Sequence, residues 1–328
     1  MRIPRLALPG VLAIAAWVTV VHAAEEEEFQ TARVSEAERN RDALLKAGDP
    51  ESLAMAALVS RSSEIDDTRH TDLDSRAIAA ATNSPEFPWI QARLCFLSGK
   101  CDPGWIDALS ARDVGNAAVF AAVLPSRFGP DRDRIDSILQ KMAGASRFDL
   151  NWNALFLHVA DAHRKAGVKS FLSASQDAAG AAVGLLIPLW MPITESCKGK
   201  LLEMTERLVA CRRISQIMRR GDTIITQGVG QTIAARVWAE SSAEYEVVLR
   251  ERRELKYRVH RINETVRDHP EDEESAIWYL GVLRAKRTEG DVLIAKLVRS
   301  GIDPAPPADW KEPSSPLGLL PHPEGEGK

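Results

Sequence analysis

The chain reads as an all-α protein of stacked helix hairpins, two of them stapled by disulfides, and three observations carry that reading. The 328 residues are rich in alanine and only 6% aromatic, a composition that favours helices over sheets. Apolar residues recur at helical spacing in short segments, each closed by glycine or proline. Bulky anchors at Trp89, Phe120 and Trp152 stand 31 and 32 residues apart, each early in an apolar segment. A period in the low thirties made of two helices marks an array in which each pair buries its apolar face only against its neighbours.

Residues 1–23 have the pattern of an export signal. Arg2 and Arg5 form a positive start, Leu6 to Val21 an apolar stretch, and Val21-His22-Ala23 places small residues at the positions a signal peptidase reads, so cleavage is expected after Ala23. Soluble, charged sequence follows, beginning with Glu25 to Glu28. The mature chain is therefore expected to be periplasmic or secreted and not an integral membrane protein. Cleavage removes two of the 42 basic residues and none of the 46 acidic ones, leaving a net charge near −6. That balance argues against nucleic acid as a partner, which wants a basic surplus.

Residues 24–72 hold the acidic start and a helix pair, Val34 to Ala47 and Pro50 to Val59, with Asp49 as N-cap and Pro50 at the first helical position. Residues 60–72 are polar and turn-rich. A helical array is expected over 73–167, with segments Pro88 to Ser98, Trp105 to Ala111, Asn116 to Leu124, Arg132 to Ala143 and Leu150 to Ala166. Gly99, Asp102-Pro103-Gly104, Gly129-Pro130 and Gly167 punctuate them. Ile135, Ile138, Leu139 and Met142 show the helical spacing within one of them. A second helical region spans 168–301. It opens with an uncharged apolar run of 16 residues, Ala178 to Ile193, shorter than the roughly 20 a membrane span needs. A buried core helix ending near Pro188 is the expectation there. Trp238 to Val266 reads as one long charged helix. Residues 302–328 carry seven prolines with glycine, serine and acids, the composition of a disordered tail.

Four cysteines fall in two close pairs, Cys95 with Cys101 and Cys197 with Cys211. In an oxidising compartment they are expected to form two disulfides. A four-thiolate zinc site would want CxxC-type pairs rather than spacings of six and fourteen. The second bridge carries a condition. An unbroken helix would set Cys211 about 18 Å along the axis from Cys197, beyond the roughly 7 Å a bridge allows. A break near Lys198-Gly199-Lys200 is therefore expected, with Cys211 opening a new helix.

The array resembles the tetratricopeptide-like repeat superfamily over residues 74–167, with an echo at 274–297 in Ala276, Trp278, Leu280, Gly281, Gly290 and Ala295. Trp278 stands one residue too close to Leu280-Gly281, and Arg284 occupies the place of the expected tyrosine. The resemblance implies helical hairpins and a docking surface for a protein or peptide.

Candidate chemistry is sparse. His158-Val-Ala-Asp-Ala-His163 superficially suggests a metal-binding helix, but a spacing of five rotates the second ring by about 140° from the first, where zinc sites use i and i+4. Gly228-Val-Gly230 has two glycines of a dinucleotide loop, with Ile233 where the third belongs. Close helix packing or a turn is the expected use; Asp222 to Val237 reads as a helix, with a small hairpin as the alternative. Arg207, Arg212, Arg213, Arg219 and Arg220 cluster on one segment, and Arg250, Arg252, Arg253, Lys256, Arg258 and Arg261 on another, interleaved with Glu246, Glu251 and Glu254. A self-neutralised surface is expected. No catalytic, cofactor or metal residue is assigned. The leading expectation is an exported scaffold that binds a protein or peptide. The alternatives are an envelope hydrolase near His158, Asp161 and His163, and a binder of anionic glycan through the arginines. Mass spectrometry of the exported protein should find a chain beginning at Ala24; a retained N-terminus would make residues 1–23 an anchor.

Overall fold

The computed structural model describes residues 36, 38–62, 73, 76–77, 89–90, 94, 104–121, 124, 132–183, 190–265 and 272–311. Among them the secondary structure is helical, apart from one isolated bridge between Asn116 and Arg147. Residues 38–47 form α1, which Gly48 closes in the left-handed region at φ 70°. Asp49 then caps α2 (Pro50–Ser62), accepting from the Ser52 amide at 3.2 Å and the Ser52 hydroxyl at 2.6 Å. Leu53 through Ser60 are buried. A helix apolar on all sides belongs inside a fold, and α2 packs between the later helices Trp152–Lys165 and Phe171–Val183.

The middle of the chain supplies α3 (Trp105–Arg112), α4 (Ala117–Ala121), α5 (Arg132–Gly144) and α6 (Trp152–Lys165), close to the segments expected there. Trp89 and Trp152 are buried, and Phe120 packs against the same core. The loops after α3 and α5 are sewn together. Asn116 Oδ1 accepts from the Asp149 amide at 2.9 Å while its Nδ2 donates to the Asp149 carbonyl at 2.7 Å. Arg147 reaches Asp113, and Ser146 reaches the Gly115 carbonyl. These partners stand 31 to 34 residues apart, the interval of the aromatic anchors. The helix contacts follow another order: α5 rests on α4 and on α9 (Thr205–Met218), whereas α6 pairs with α7 (Phe171–Val183).

The α6/α7 hairpin, turned by Gly167 at φ 93°, lies at the centre, between α2 and α12 (Glu273–Ala285). Phe156 meets Trp152 and Tyr279 at ring distances of 5.6 and 5.5 Å. Of the apolar run, α7 holds the part up to Val183 and α8 (Trp190–Ser196) the last part, with Pro192 in its first turn, where a missing amide hydrogen leaves no helical bond unmade; the end expected near Pro188 lies outside the described residues.

Cys197 and Cys211 are bridged, with Cα atoms 5.7 Å apart. The expected break lies at Gly199, followed by a 3-10 turn at Gly199–Glu203 and an extended Met204. Cys211 does not open a helix, however; it sits in the second turn of α9, because the tight turn is complete by Glu203 and the helix starts at Thr205. The bridge fastens α8 to α9. Cys95 and Cys101 lie outside the described residues.

After α9 comes α10 (Ile224–Val237), a helix rather than a hairpin, capped by the Thr223 hydroxyl on the Thr226 amide. A Cβ at Gly230 would stand 2.6 Å from the Arg219 amide nitrogen and 2.8 Å from Met218 Cβ. This glycine lets two helices touch backbone to backbone. Residues 238–242 turn the chain, so the long charged helix, α11, begins only at Ala243 and runs to Thr265. The α12 helix, capped by Asp272 and Ser275, and α13 (Glu289–Arg299), capped by Thr288, complete the set. Ile262, Leu293 and Leu297 form a second small core between α11 and α13.

The tail expected to begin at residue 302 is held to the fold for its first ten residues. Arg253 and Arg258 on α11 donate to the carbonyls of Pro304, Ala308 and Trp310, and the Trp310 ring packs on Tyr257 at 5.4 Å. Composition alone predicts no order here; the order comes from long-range guanidinium and ring contacts.

Three helix starts meet at Asp222. Its carboxylate, 4% exposed, accepts from the Leu150 amide at 2.8 Å and the Trp152 amide at 2.9 Å, at the start of α6. Its carbonyl accepts from the Glu289 amide at 2.7 Å, and the Glu289 carboxylate accepts from Ile224 at 2.8 Å. Replacing Asp222 by alanine orphans two buried donors, and urea denaturation should show a loss of about 2–4 kcal/mol. Asp222→Asn should lose less, since one amide oxygen still accepts. Equal stability of wild type and Asp222→Ala would overturn this account.

Candidate functional site

The residues that sequence reasoning singled out on α6 point three ways. His158 Nδ1 lies 2.8 Å from Glu51 Oε1 on α2. Asp161 pairs with Arg284 on α12. His163 is fully buried; its Nδ1 stands 2.7 Å from the Val159 carbonyl, which can only accept, so that nitrogen carries the proton. Its Nε2 lies 3.1 Å from Asp177 Oδ2 on α7, off the line of a hydrogen bond. Asp177 accepts from Asn40 on α1 at 2.6 Å, and Asn40 also donates to Ser173 at 2.7 Å. The angular divergence expected from the five-residue spacing is therefore seen in the partners. Among the described residues no group of three or more His, Cys, Asp or Glu side chains is placed to hold a metal ion.

A hollow of about 10 Å³, room for little more than one water, opens beside His158, lined by Trp89, Ile90, Asn151 and Leu155 among others. It is smaller than the roughly 300–1,000 Å³ of ordinary ligand sites, and His158 is its single ionisable lining residue. Asn151 there holds a left-handed backbone at φ 55° as the N-cap of α6.

Ionisable groups serve instead as fasteners between helices. Lys165 pairs with Asp49 at 3.2 Å, joining the end of α6 to the start of α2. Partial burial pushes the Asp49 carboxyl up, but the Ser52 hydroxyl and amide and the Lys165 ammonium together hold it below its usual range. Glu273 opens α12 and caps α7, accepting from the Ser170 hydroxyl, the Phe171 amide at 2.8 Å and the Leu172 amide at 3.4 Å. The Ser170 hydroxyl is the largest cause of its lowered pKa, outweighing partial burial, with the two amides adding to it.

Several of the clustered arginines are likewise engaged. Buried Arg207 donates to Asp136 at 2.7 Å. Arg219 grips Glu251 through two bonds of 2.7 and 2.8 Å, the fork geometry a guanidinium favours. Arg212 donates to the Val237 carbonyl at the end of α10 and lies over the Trp238 ring at 4.6 Å. Arg258 pairs with Glu254 at 3.0 Å.

Exposed apolar side chains mark the α12/α13 hairpin. Ile277 is 52% and Val298 60% exposed. Their chain neighbours Trp278 and Arg299 stack at 4.4 Å, which brings the two helices together at this point. Gly281, one turn beyond Ile277, has nothing within 4 Å of a Cβ position, so its lack of a side chain leaves the surface flat rather than admitting a neighbour. Among the described residues no helix is long and apolar enough to cross a membrane. Compared with protein-family models, curated proteins and solved structures, the chain matches none.

Because Asp49 and Glu273 titrate lower folded than unfolded, each contributes stability that is complete above its unfolded value, near 4. That contribution is lost as pH falls through the folded value. Melting temperatures followed downward from about pH 6 should fall less steeply for Glu273→Gln than for wild type below about pH 4. Parallel curves would show that Glu273 does not cap α7 in solution.

Proposed function

We propose that this chain is an exported helical scaffold of the cell envelope, periplasmic or secreted, that binds another protein or a peptide. The observation that carries the reading is the contrast between two kinds of surface. His158, Asp161 and Lys165 of α6, and Arg207 and Arg219 of the arginine segments, are committed to pairs with other helices, whereas Ile277 and Val298 stand exposed beside the stacked Trp278 and Arg299. Aromatic and arginine side chains beside apolar ones are what interface centres favour. This hairpin also carries the echo, at 274–297, of the tetratricopeptide-like resemblance that spans 74–167, and that resemblance implies a docking role. The export pattern of residues 1–23 supports the envelope as the place of action.

Cross-linking in intact cells, followed by mass spectrometry of what is captured, tests the reading. Wild type should capture a discrete protein. The double variant Ile277→Asp/Val298→Asp, with unchanged melting, should capture at least about tenfold less, the loss expected when central interface residues are removed. Capture of nothing above background by wild type would sink the proposal.

A further inference from the structure

Residues 302–311 are bound to α11 in the manner of a peptide ligand. Ile302, Pro304 and Pro306 are half-buried while Asp303, Ala305 and Pro307 are exposed, so alternate residues face the surface before a turn at 308–309, closed by the Trp310 amide on the Pro307 carbonyl at 3.0 Å, presents the indole. Arg253 Nη2 donates to the carbonyls of Pro307, Ala308 (3.1 Å) and Trp310 (3.2 Å), and Arg258 Nε to that of Pro304 (3.2 Å). The Trp310 ring stands edge-on to Tyr257 at 5.4 Å, 6.3 Å from the His260 ring and 5.8 Å from the Arg253 guanidinium.

The chemistry of the two sides matches. Proline has no amide hydrogen, so a proline-rich strand offers its surroundings carbonyl oxygens and few main-chain donors. Guanidinium is a donor with no acceptor. An arginine-bearing helix is thus complementary to such a segment, which its proline rings stiffen before it binds and which so loses less entropy in docking. Only Ile302 of the strand joins a hydrophobic core, the small one between α11 and α13. The remainder rests on carbonyl bonds and one aromatic anchor, and a segment tethered this way is kept in place largely by its high local concentration.

We propose that this face of α11 is a recognition site for proline-rich peptides that turn to present an aromatic anchor, and that residues 302–311 occupy it in cis. A partner segment of the same chemistry binds by displacing them. The inference rests on the peptide-binding reading above and gives it a class of ligand and a place.

The probe is a fluorescent synthetic peptide, IDPAPPADWK, titrated into the full-length chain. Trp310→Ala, which removes the cis anchor, should bind it at least about tenfold more tightly than wild type. Adding Arg253→Gln to that variant should remove the gain, and a peptide with its three prolines changed to alanine should bind at least about tenfold more weakly. Hydrogen exchange on unmodified wild type needs no variant: excess peptide should speed exchange of the Trp310 amide, which otherwise donates to the Pro307 carbonyl at 3.0 Å. Equal binding by wild type and Trp310→Ala, binding by neither, indifference to Arg253→Gln, or unchanged exchange would each overturn the site. A partner captured in cells through Ile277 and Val298 alongside any of these results would leave the scaffold reading standing and remove only this face.

Discussion

The buried carboxylate of Asp222 is the constraint on which the arrangement of the second half of the chain depends. Helix starts carry unpaired amides and partial positive charge, and bringing three of them together without an acceptor would cost several unmade hydrogen bonds. Asp222 answers the start of α6 with its side chain and Glu289 with its carbonyl, while Glu289 answers the start of α10. The turn is also crowded: a Cβ at Gly221 would stand 3.0 Å from the carbonyl oxygens of both Met218 and Phe148. The position of α6, and with it His158, Asp161 and His163, is thus set by a residue about seventy positions away in sequence.

From this centre outward, charge is used for joining. Glu273 receives the start of α7, Lys165 holds Asp49, and Arg219 holds Glu251 across α9 and α11. Pairs of this kind contribute modestly when exposed, but each fixes an orientation between helices whose apolar faces alone would permit several. Outside this network stand the exposed Ile277 and Val298, and Arg253, whose guanidinium is aimed at backbone carbonyls.

Much of the local structure was legible because it rests on local rules. The helical spacing of Ile135, Ile138, Leu139 and Met142 marks α5, the Asp49-Pro50 step marks the start of α2, and the bridge between Cys197 and Cys211 demanded the break found at Gly199. The divergence of His158 and His163 followed from helical geometry. What was not legible depends on partners distant in sequence. Nothing near Asp222 announces that its carboxylate faces Leu150 and Trp152; a Gly-Asp-Thr string before an apolar stretch marks a helix start and no more. The ordering of residues 302–311 was missed for the same reason, since composition describes a segment by itself and Arg253 lies some fifty residues upstream.

The backbone contact at Gly230 has a consequence for how this architecture can be traced. A surface position may drift freely, but here any side chain would strike the Arg219 amide, and Asp222 has no substitute that offers two anionic oxygens at the same reach. With the bridged cysteines, these positions form a ruler: Cys197, then Cys211 at fourteen, Asp222 eleven further on and Gly230 eight beyond that. Chains too diverged for overall similarity to register would still have to carry that ruler if they share this fold, so kinship is better sought in three fixed intervals and the residue types at their ends than in the helices between them.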